Sequence, residues 1–382
     1  MLYLDYAATC PLDKKAADIY VKVATEVYGN ESSLHDIGGQ AKELLEHCRN
    51  QFAQALDIDP AGVFFTGGGS DGNFLAIEAL LSSIKTKKRH IITSLAEHAS
   101  IHSVMTRLEN DGYEITLLPF KEDGQIDLHQ LQSAIREDTA LISIQHSNSE
   151  LGVIQPMKEI SALCRANHIL LHSDFVHSFG KIDLLPIIPF VDSFTISAHK
   201  FYGPKGCGIV YLHPRINWQP YFPNTVHERG FKPGTVNVPA IAATITAAQQ
   251  SLERLSQLDN HYFQLRKQFT HELYDYKEQW LIHENQNGNQ LYATIGMRIL
   301  GLEGQYIMLE CNRNGIAIST GSACHTGLQT PTSSMIALGI ETKKAKEFFR
   351  ISFGVYTTAN DVTKLTRILK TIMQEHSYRN LQ

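Results

Sequence analysis

The chain has 382 residues, with 34 Lys plus Arg against 39 Asp plus Glu, a net charge of −5, and 43% apolar and 19% charged residues. That length suits one large domain and a smaller one, and the composition is that of a globular protein. Weak acidity without a Lys/Arg block argues against nucleic-acid binding, no apolar run approaches membrane-spanning length, and the opening Met1-Leu2-Tyr3-Leu4-Asp5 does not look like a signal peptide.

Short apolar runs rich in Ile, Val, Phe and Thr occur at 63–66, 90–93, 114–118, 141–144, 169–171, 193–196 and 208–212. Bounded by polar or Gly residues, they predict buried strands. Amphipathic stretches between them, such as 128–136 and 157–167, predict helices. Such alternation implies an α/β fold, a mostly parallel seven-stranded sheet covered on both faces. After Pro239 the pattern changes. One long helix is expected from Ala240 past Leu258. Strands follow near 291–299, 316–319 and 349–353, with helices near 303–312 and from Asn360. These read as a smaller α/β domain. The Gly-, Ser- and Thr-rich stretch 321–334 reads as a surface loop.

The six cysteines, Cys10, Cys48, Cys164, Cys207, Cys311 and Cys324, form no C-x-x-C pair. A disulfide framework or zinc knuckle would be spaced otherwise. Scattered thiols suit a reducing cytoplasm, with at most one or two carrying chemistry.

In an open parallel sheet, ligands collect beyond the carboxyl ends of strands. The first strand ends in Thr66-Gly67-Gly68-Gly69-Ser70, which can offer backbone N–H groups and a hydroxyl to a phosphate at a helix N-terminus. Alone, that run is equally a tight turn. The next strand leads to Glu97-His98, where the histidine can cover an aromatic ring, act as acid–base, or simply cap a helix. The run 169–171 leads to His172-Ser173-Asp174 and His177. A buried acid needs a partner, either a protonated pyridine nitrogen or a metal shared with the two histidines. The run 193–196 leads to Ser197-Ala198-His199-Lys200, and a strand-end lysine can form a Schiff base. A phosphate loop, a strand-end Asp and a strand-end Lys together meet the needs of pyridoxal phosphate.

Read in order, these segments resemble the cysteine desulfurases of the NifS/IscS type, fold-type I pyridoxal-phosphate enzymes related to class V aminotransferases. The resemblance spans nearly the whole chain. It includes Leu4-Asp5-Tyr6-Ala7-Ala8-Thr9, Asn148-Ser149-Glu150-Leu151-Gly152, Ser197-Ala198-His199-Lys200-Phe201-Tyr202-Gly203-Pro204-Lys205-Gly206, His227-Glu228-Arg229-Gly230, Gly321-Ser322-Ala323-Cys324 and Arg350-Ile351-Ser352-Phe353-Gly354.

The resemblance implies a large pyridoxal 5'-phosphate-binding domain over 12–250 and a small domain from 1–11 and 251–382. Lys200 would hold the cofactor and Asp174 its ring nitrogen, with His98 stacked on the ring. Gly69, Ser70, Ser197 and His199 would bind the phosphate, joined by Thr235 from the partner of a homodimer. Asn148 and Arg350 would hold the substrate carboxylate, and Cys324 would be the nucleophile. The implied reaction converts L-cysteine to L-alanine, leaving a Cys324 persulfide for a sulfur-acceptor protein, an iron–sulfur scaffold or thiolation enzyme. No nucleic acid, membrane or metal is expected. The chain departs from the pattern at His177, where Gln is usual near the ring's phenolic oxygen, and at Glu31, Phe74, Lys232-Pro233 and Val355. A selenocysteine lyase, an aminotransferase, a metal-dependent hydrolase on His172, Asp174 and His177, and a sulfur-assembly scaffold without turnover are the alternatives.

Overall fold

The computed structural model describes residues 1–320 and 331–380. A short strand, β1 (Leu2–Tyr3), precedes helices α1 (Lys14–Glu26) and α2 (Asp36–Ala55). Asp13 starts the first of these. Its carboxylate accepts the N–H groups of Lys15 and Ala16 at 2.9 and 3.3 Å, donors that no helical carbonyl can reach.

Strands and helices then alternate as β2 (Val63–Thr66), α3 (Gly69–Ser82), β3 (His90–Ser94), α4 (Ala99–Asn110), β4 (Glu114–Leu118), α5 (Leu128–Ala134), β5 (Thr139–Ser143), α6 (Met157–Ala166) and β6 (Leu170–Asp174). β7 (Ser193–Ser197) and β8 (Gly208–Leu212) complete one sheet in the order β2-β8-β7-β6-β5-β3-β4. β8 alone runs antiparallel to its two neighbours. Every residue of β2, β3, β5, β7 and β8 is buried, because helices cover both faces. β4 lies at an edge, with Glu114 and Leu117 exposed. This is the expected α/β fold.

The single long helix expected after Pro239 is two helices, α7 (Val238–Glu253) and α8 (Leu255–Glu272), meeting at Arg254. Their packing partners differ. α7 lies against α1 and α2, whereas α8 joins a separate core around Tyr262, Leu265 and Phe269, so the chain must turn between them.

The rest of the chain adds β9 (Trp280–His283), β10 (Thr294–Ile299), α9 (Gly304–Arg313), β11 (Ile316–Ala317), α10 (Ser333–Ala337), α11 (Thr342–Ala345), β12 (Phe348–Ser352) and α12 (Ala359–Asn380). α10 and α11 return to the first core through Met335, Ala337 and Ala345, and the other elements build the second. β12, β10 and β9 form an antiparallel sheet. The surface loop expected over 321–334 fails at its far end, where the chain is already inside the fold. The Thr332 hydroxyl accepts the Met335 N–H at 3.4 Å to cap α10, and Ser334 is fully buried.

The N-terminal segment ties the two cores together. β1 pairs in parallel with β11, and Ser352 N–H donates to Leu4 C=O at 2.8 Å. Six residues later, Cys10 N–H donates to His199 C=O at 2.8 Å, beyond the end of β7. Residues 5–9 therefore run past the carboxyl ends of the large sheet. Among the described residues, no helix is long and apolar enough to cross a membrane.

Candidate active site

The glycine run leaves β2 and enters α3 with Gly68 at φ +140°, a conformation that L side chains rarely adopt. Among the described residues no side chain caps α3, which leaves its first N–H groups without a capping acceptor. Ser70 stands exposed in this first turn. Crowding enforces a glycine opposite, on β8, since a Cβ on Gly208 would lie 2.8 Å from the backbone of Gly68. Buried Ser197 closes the same corner, within 3.4 Å of where a Gly69 Cβ would sit. Beside it, His199 Nδ1 meets the Thr9 hydroxyl at 3.1 Å.

Asp174 is the last residue of β6. Its Oδ1 accepts the Val176 N–H and its Oδ2 the Asn73 side-chain amide, both at 2.8 Å. Lys200 lies beyond the next strand, β7. Its ammonium donates to the carbonyls of Ala7 and Ala8 at 2.6 and 2.8 Å, so the N-terminal segment holds it. Its pKa is lowered to about 8, chiefly by burial and also by the charges of Arg350 and Lys181, against the opposing pull of Cys10 and Asp5.

His98 caps α4 through its ring, Nδ1 accepting the Ser100 N–H at 3.1 Å. Burial lowers its pKa and Lys200 adds to the effect, while Asp174 opposes it. His177 is buried, with Nε2 3.1 Å from the Thr294 hydroxyl and Nδ1 without a partner. Burial and three nearby cations, Lys181, Lys200 and Arg350, hold its pKa well below the usual histidine value.

Arg350 on β12 reaches this site from the second core. It donates to the Ser149 carbonyl at 3.0 Å and to Asp5 at 2.8 Å, and its buried Nε has no partner among the described residues. Asn148 spends its side-chain oxygen on the Glu150 and Leu151 N–H groups and on the Ser334 hydroxyl. Its amide nitrogen makes two long contacts of 3.5 Å, to Ala96 C=O and the Gln145 side-chain oxygen. Thr235 stands apart from this group. It is exposed on the rim of a shallow cleft, beside Gly67 and Lys232.

Cys324 lies outside the described residues. Cys10, Cys48, Cys164, Cys207 and Cys311 are free and buried. Burial raises the Cys10 thiol, whose sulfur lies 3.3 Å from the Lys200 carbonyl. Such a thiol is a poor nucleophile.

The metal reading loses its ligands. Both ring nitrogens of His172 are engaged, Nδ1 with the Ser193 hydroxyl and Nε2 with the Asn73 side-chain oxygen, each at 3.2 Å. Among the described residues, no group of three His, Cys, Asp or Glu is arranged to hold a metal ion. Asn73, Ser100 and Asp5 belong to the site and were given no role from sequence. For Asn73 a signal existed: it sits three residues after Ser70, on the same face of the first turns of α3.

The profile of the family described as aminotransferase class-V matches residues 2–365. A Bacillus subtilis (strain 168) protein named "Putative cysteine desulfurase NifS" is 42% identical over 98% of this chain and 95% of its own. The "Cysteine desulfurase IscS" of Neisseria meningitidis serogroup C / serotype 2a is 34% identical over 97% of this chain and 91% of its own. A solved structure titled "NIFS-LIKE PROTEIN" superposes with a TM-score of 0.89 at 28% identity, covering 99% of each chain. Strand-end Asp and Lys, glycine-opened helix and full-length similarity converge: the chain belongs to the class-V aminotransferase family, among its cysteine desulfurases of the NifS/IscS type.

Proposed function

We infer that the chain is a pyridoxal 5'-phosphate-dependent cysteine desulfurase that converts L-cysteine to L-alanine and collects the sulfur on Cys324. The observation that carries this reading is the pairing of Lys200, its amine pKa lowered to about 8, with Asp174 one strand away. The residues fit the cofactor. The uncapped α3 N-terminus and Ser197 suit a phosphate, Asp174 a ring nitrogen, and the orphaned Nδ1 of His177 a further polar group of the ring.

When bound, pyridoxal phosphate supplies an electron sink conjugated to the substrate Cα. Lys200, neutral at mildly alkaline pH, takes the Cα proton through Nζ. Arg350 holds the substrate carboxylate with its planar donors, and Asn148 Nδ2 adds a neutral one. His98 carries the proton of the substrate thiol. The Cys324 thiolate attacks that sulfur, so the substrate C–S bond breaks and an S–S bond forms; Cβ takes the former thiol proton and Lys200 returns its proton to Cα, giving L-alanine. Thiol exchange then passes the outer sulfur to an acceptor. We read residues 12–250 as the cofactor domain and 1–11 with 251–382 as the second. Exposed Thr235 suits a role at the phosphate of a partner subunit in a homodimer. Cytoplasmic iron–sulfur scaffolds and thiolation enzymes are the acceptor classes this chemistry serves.

The test is the absorption spectrum of the purified protein before and after borohydride, then L-cysteine with a thiol reductant. Alanine and sulfide in equal amounts are expected. A protein that binds the cofactor yet gives no alanine, or gives a keto acid, would overturn the reading.

A further inference from the structure

One amide joins the two ends of the site. Asn73 sits on α3 and is buried. Its Nδ2 donates to Asp174 Oδ2 at 2.8 Å and to Ser100 Oγ at 3.1 Å, and its Oδ1 lies 3.2 Å from His172 Nε2. Ser100 Oγ lies 2.8 Å from His98 Nδ1, and His172 Nδ1 lies 3.2 Å from Ser193 Oγ. The chain Ser193, His172, Asn73, Ser100, His98 is thus continuous, with Asp174 branching from its centre.

The direction of every bond in this chain follows from the chemistry of the groups. A carboxylate only accepts, so the Asn73 group facing Asp174 is its NH₂, and the oxygen faces His172. His172 therefore carries its proton on Nε2, and Nδ1 accepts from the Ser193 hydroxyl. Burial keeps His172 neutral by lowering its pKa to about 3. At the other end, Asn73 occupies a lone pair of Ser100 Oγ, leaving that hydroxyl's proton to point at His98 Nδ1. The Ser100 backbone N–H donates to the same nitrogen. His98 Nδ1 is an acceptor twice over, so a neutral His98 has its proton on Nε2, at the outer edge of the ring.

We propose that Asn73, oriented by His172, is a positioning residue that holds Asp174 in place and turns the Ser100 hydroxyl toward His98, presenting His98 to its reaction partner as a proton donor at Nε2. This rests on the reading of the site as a pyridoxal-phosphate site and assigns roles to three residues that reading does not use, Asn73, His172 and Ser100.

The test is made on the full-length protein, stripped of cofactor and titrated with pyridoxal phosphate. Asn73→Leu and His172→Leu should bind it about tenfold to a hundredfold more weakly than wild type, the effect of losing one hydrogen bond to a charged group. His172→Gln, which can still donate to Asn73 Oδ1, should restore most of the affinity. The second readout is the His98 pKa in the cofactor-free protein, by NMR with His98→Gln as the assignment control. In Asn73→Leu the Ser100 hydroxyl is free to turn and accept from a protonated ring, so this pKa should rise. Of the other groups facing His98, Lys200, His102 and His199 make no bond to Asn73; Asp174 loses one in that variant but keeps its charge, which still favours the protonated ring. Unaltered affinity and an unaltered His98 pKa in Asn73→Leu and His172→Leu would overturn the proposal and leave the cofactor reading standing. A wild-type protein that binds no pyridoxal phosphate would instead overturn the functional reading.

Discussion

Arg350 and Asp5 are 345 residues apart in the chain and 2.8 Å apart in space. The pair spans β12 and the N-terminal segment, and that same segment supplies the carbonyls that hold Lys200. Arg350 and Lys200 are thus set by one strip of chain.

Arg350→Lys keeps the charge and loses the planar fork. Steady-state kinetics with L-cysteine should show KM raised about tenfold to a hundredfold with kcat less affected, because the loss falls on ground-state binding. An unchanged KM would remove Arg350 from the carboxylate site.

Lys200 should control cofactor capture through its neutral form. The rate at which the cofactor-free protein takes up pyridoxal phosphate should rise with pH and reach half its plateau at about pH 8, where the amine loses its proton. A profile centred near the ordinary lysine value would contradict the lowered pKa. Lys200→Ala should abolish turnover.

Cys324→Ala should keep the cofactor's visible absorption and lose sulfide release from L-cysteine. Cys10→Ser should retain activity, because the Cys10 thiol is buried and its pKa is raised. Sulfide production by Cys324→Ala at the wild-type rate would exclude the thiol-transfer step.

Glu228→Ala tests the segment that carries Thr235. Glu228 accepts two bonds from Arg49 and one from the Phe65 N–H, and the two side chains are 3% and 2% exposed. Removing the acid strips a buried guanidinium of two bonds and leaves it the half-exposed Glu46 and the Val63 carbonyl, a loss of about 3 kcal/mol. Urea unfolding should register it as a lower midpoint, with a further loss of cofactor affinity because β2 leads into the glycine run.

Acid should destabilise the protein through its buried histidines. Burial lowers His146 to about 4 and His172 to about 3, so both stay neutral in the fold while their unfolded counterparts protonate near 6.5. Their contribution is complete above pH 6.5 and is lost as pH falls from there toward 4 and 3. Glu97, its carboxyl raised to about 8 mainly by burial, acts oppositely between 8 and 4.5 and so offsets only the first part of the fall. His146→Phe should flatten the decline in urea midpoint between pH 6.5 and 4, since the ring packs on Phe175 and its Nδ1 has no partner.

Much of the fold was legible in the residues because β-branched and aromatic runs of strand length have few alternatives once helices flank them. Val63–Thr66, Glu114–Leu118 and Gly208–Leu212 form with the expected limits. β1 and β11 were not resolved as a pair, because two residues carry no periodicity and their pairing is a contact across more than 300 positions. The break at Arg254 was invisible for a similar reason: local propensity favours continuing the helix, and two different packing partners end it.

By itself, the sequence determined the chemical inventory. It set a lysine and an acid at strand ends, an open glycine run before a helix, and a cysteine apart from the other five, because these depend on residue type and local order. Only the tertiary structure decided how those groups are held and charged. Burial and neighbouring cations lower the Lys200 amine, a strip of N-terminal backbone docks it, and one asparagine amide links Asp174 to His98. Desolvation and hydrogen-bond direction exist only once distant segments are brought within about 3 Å of each other.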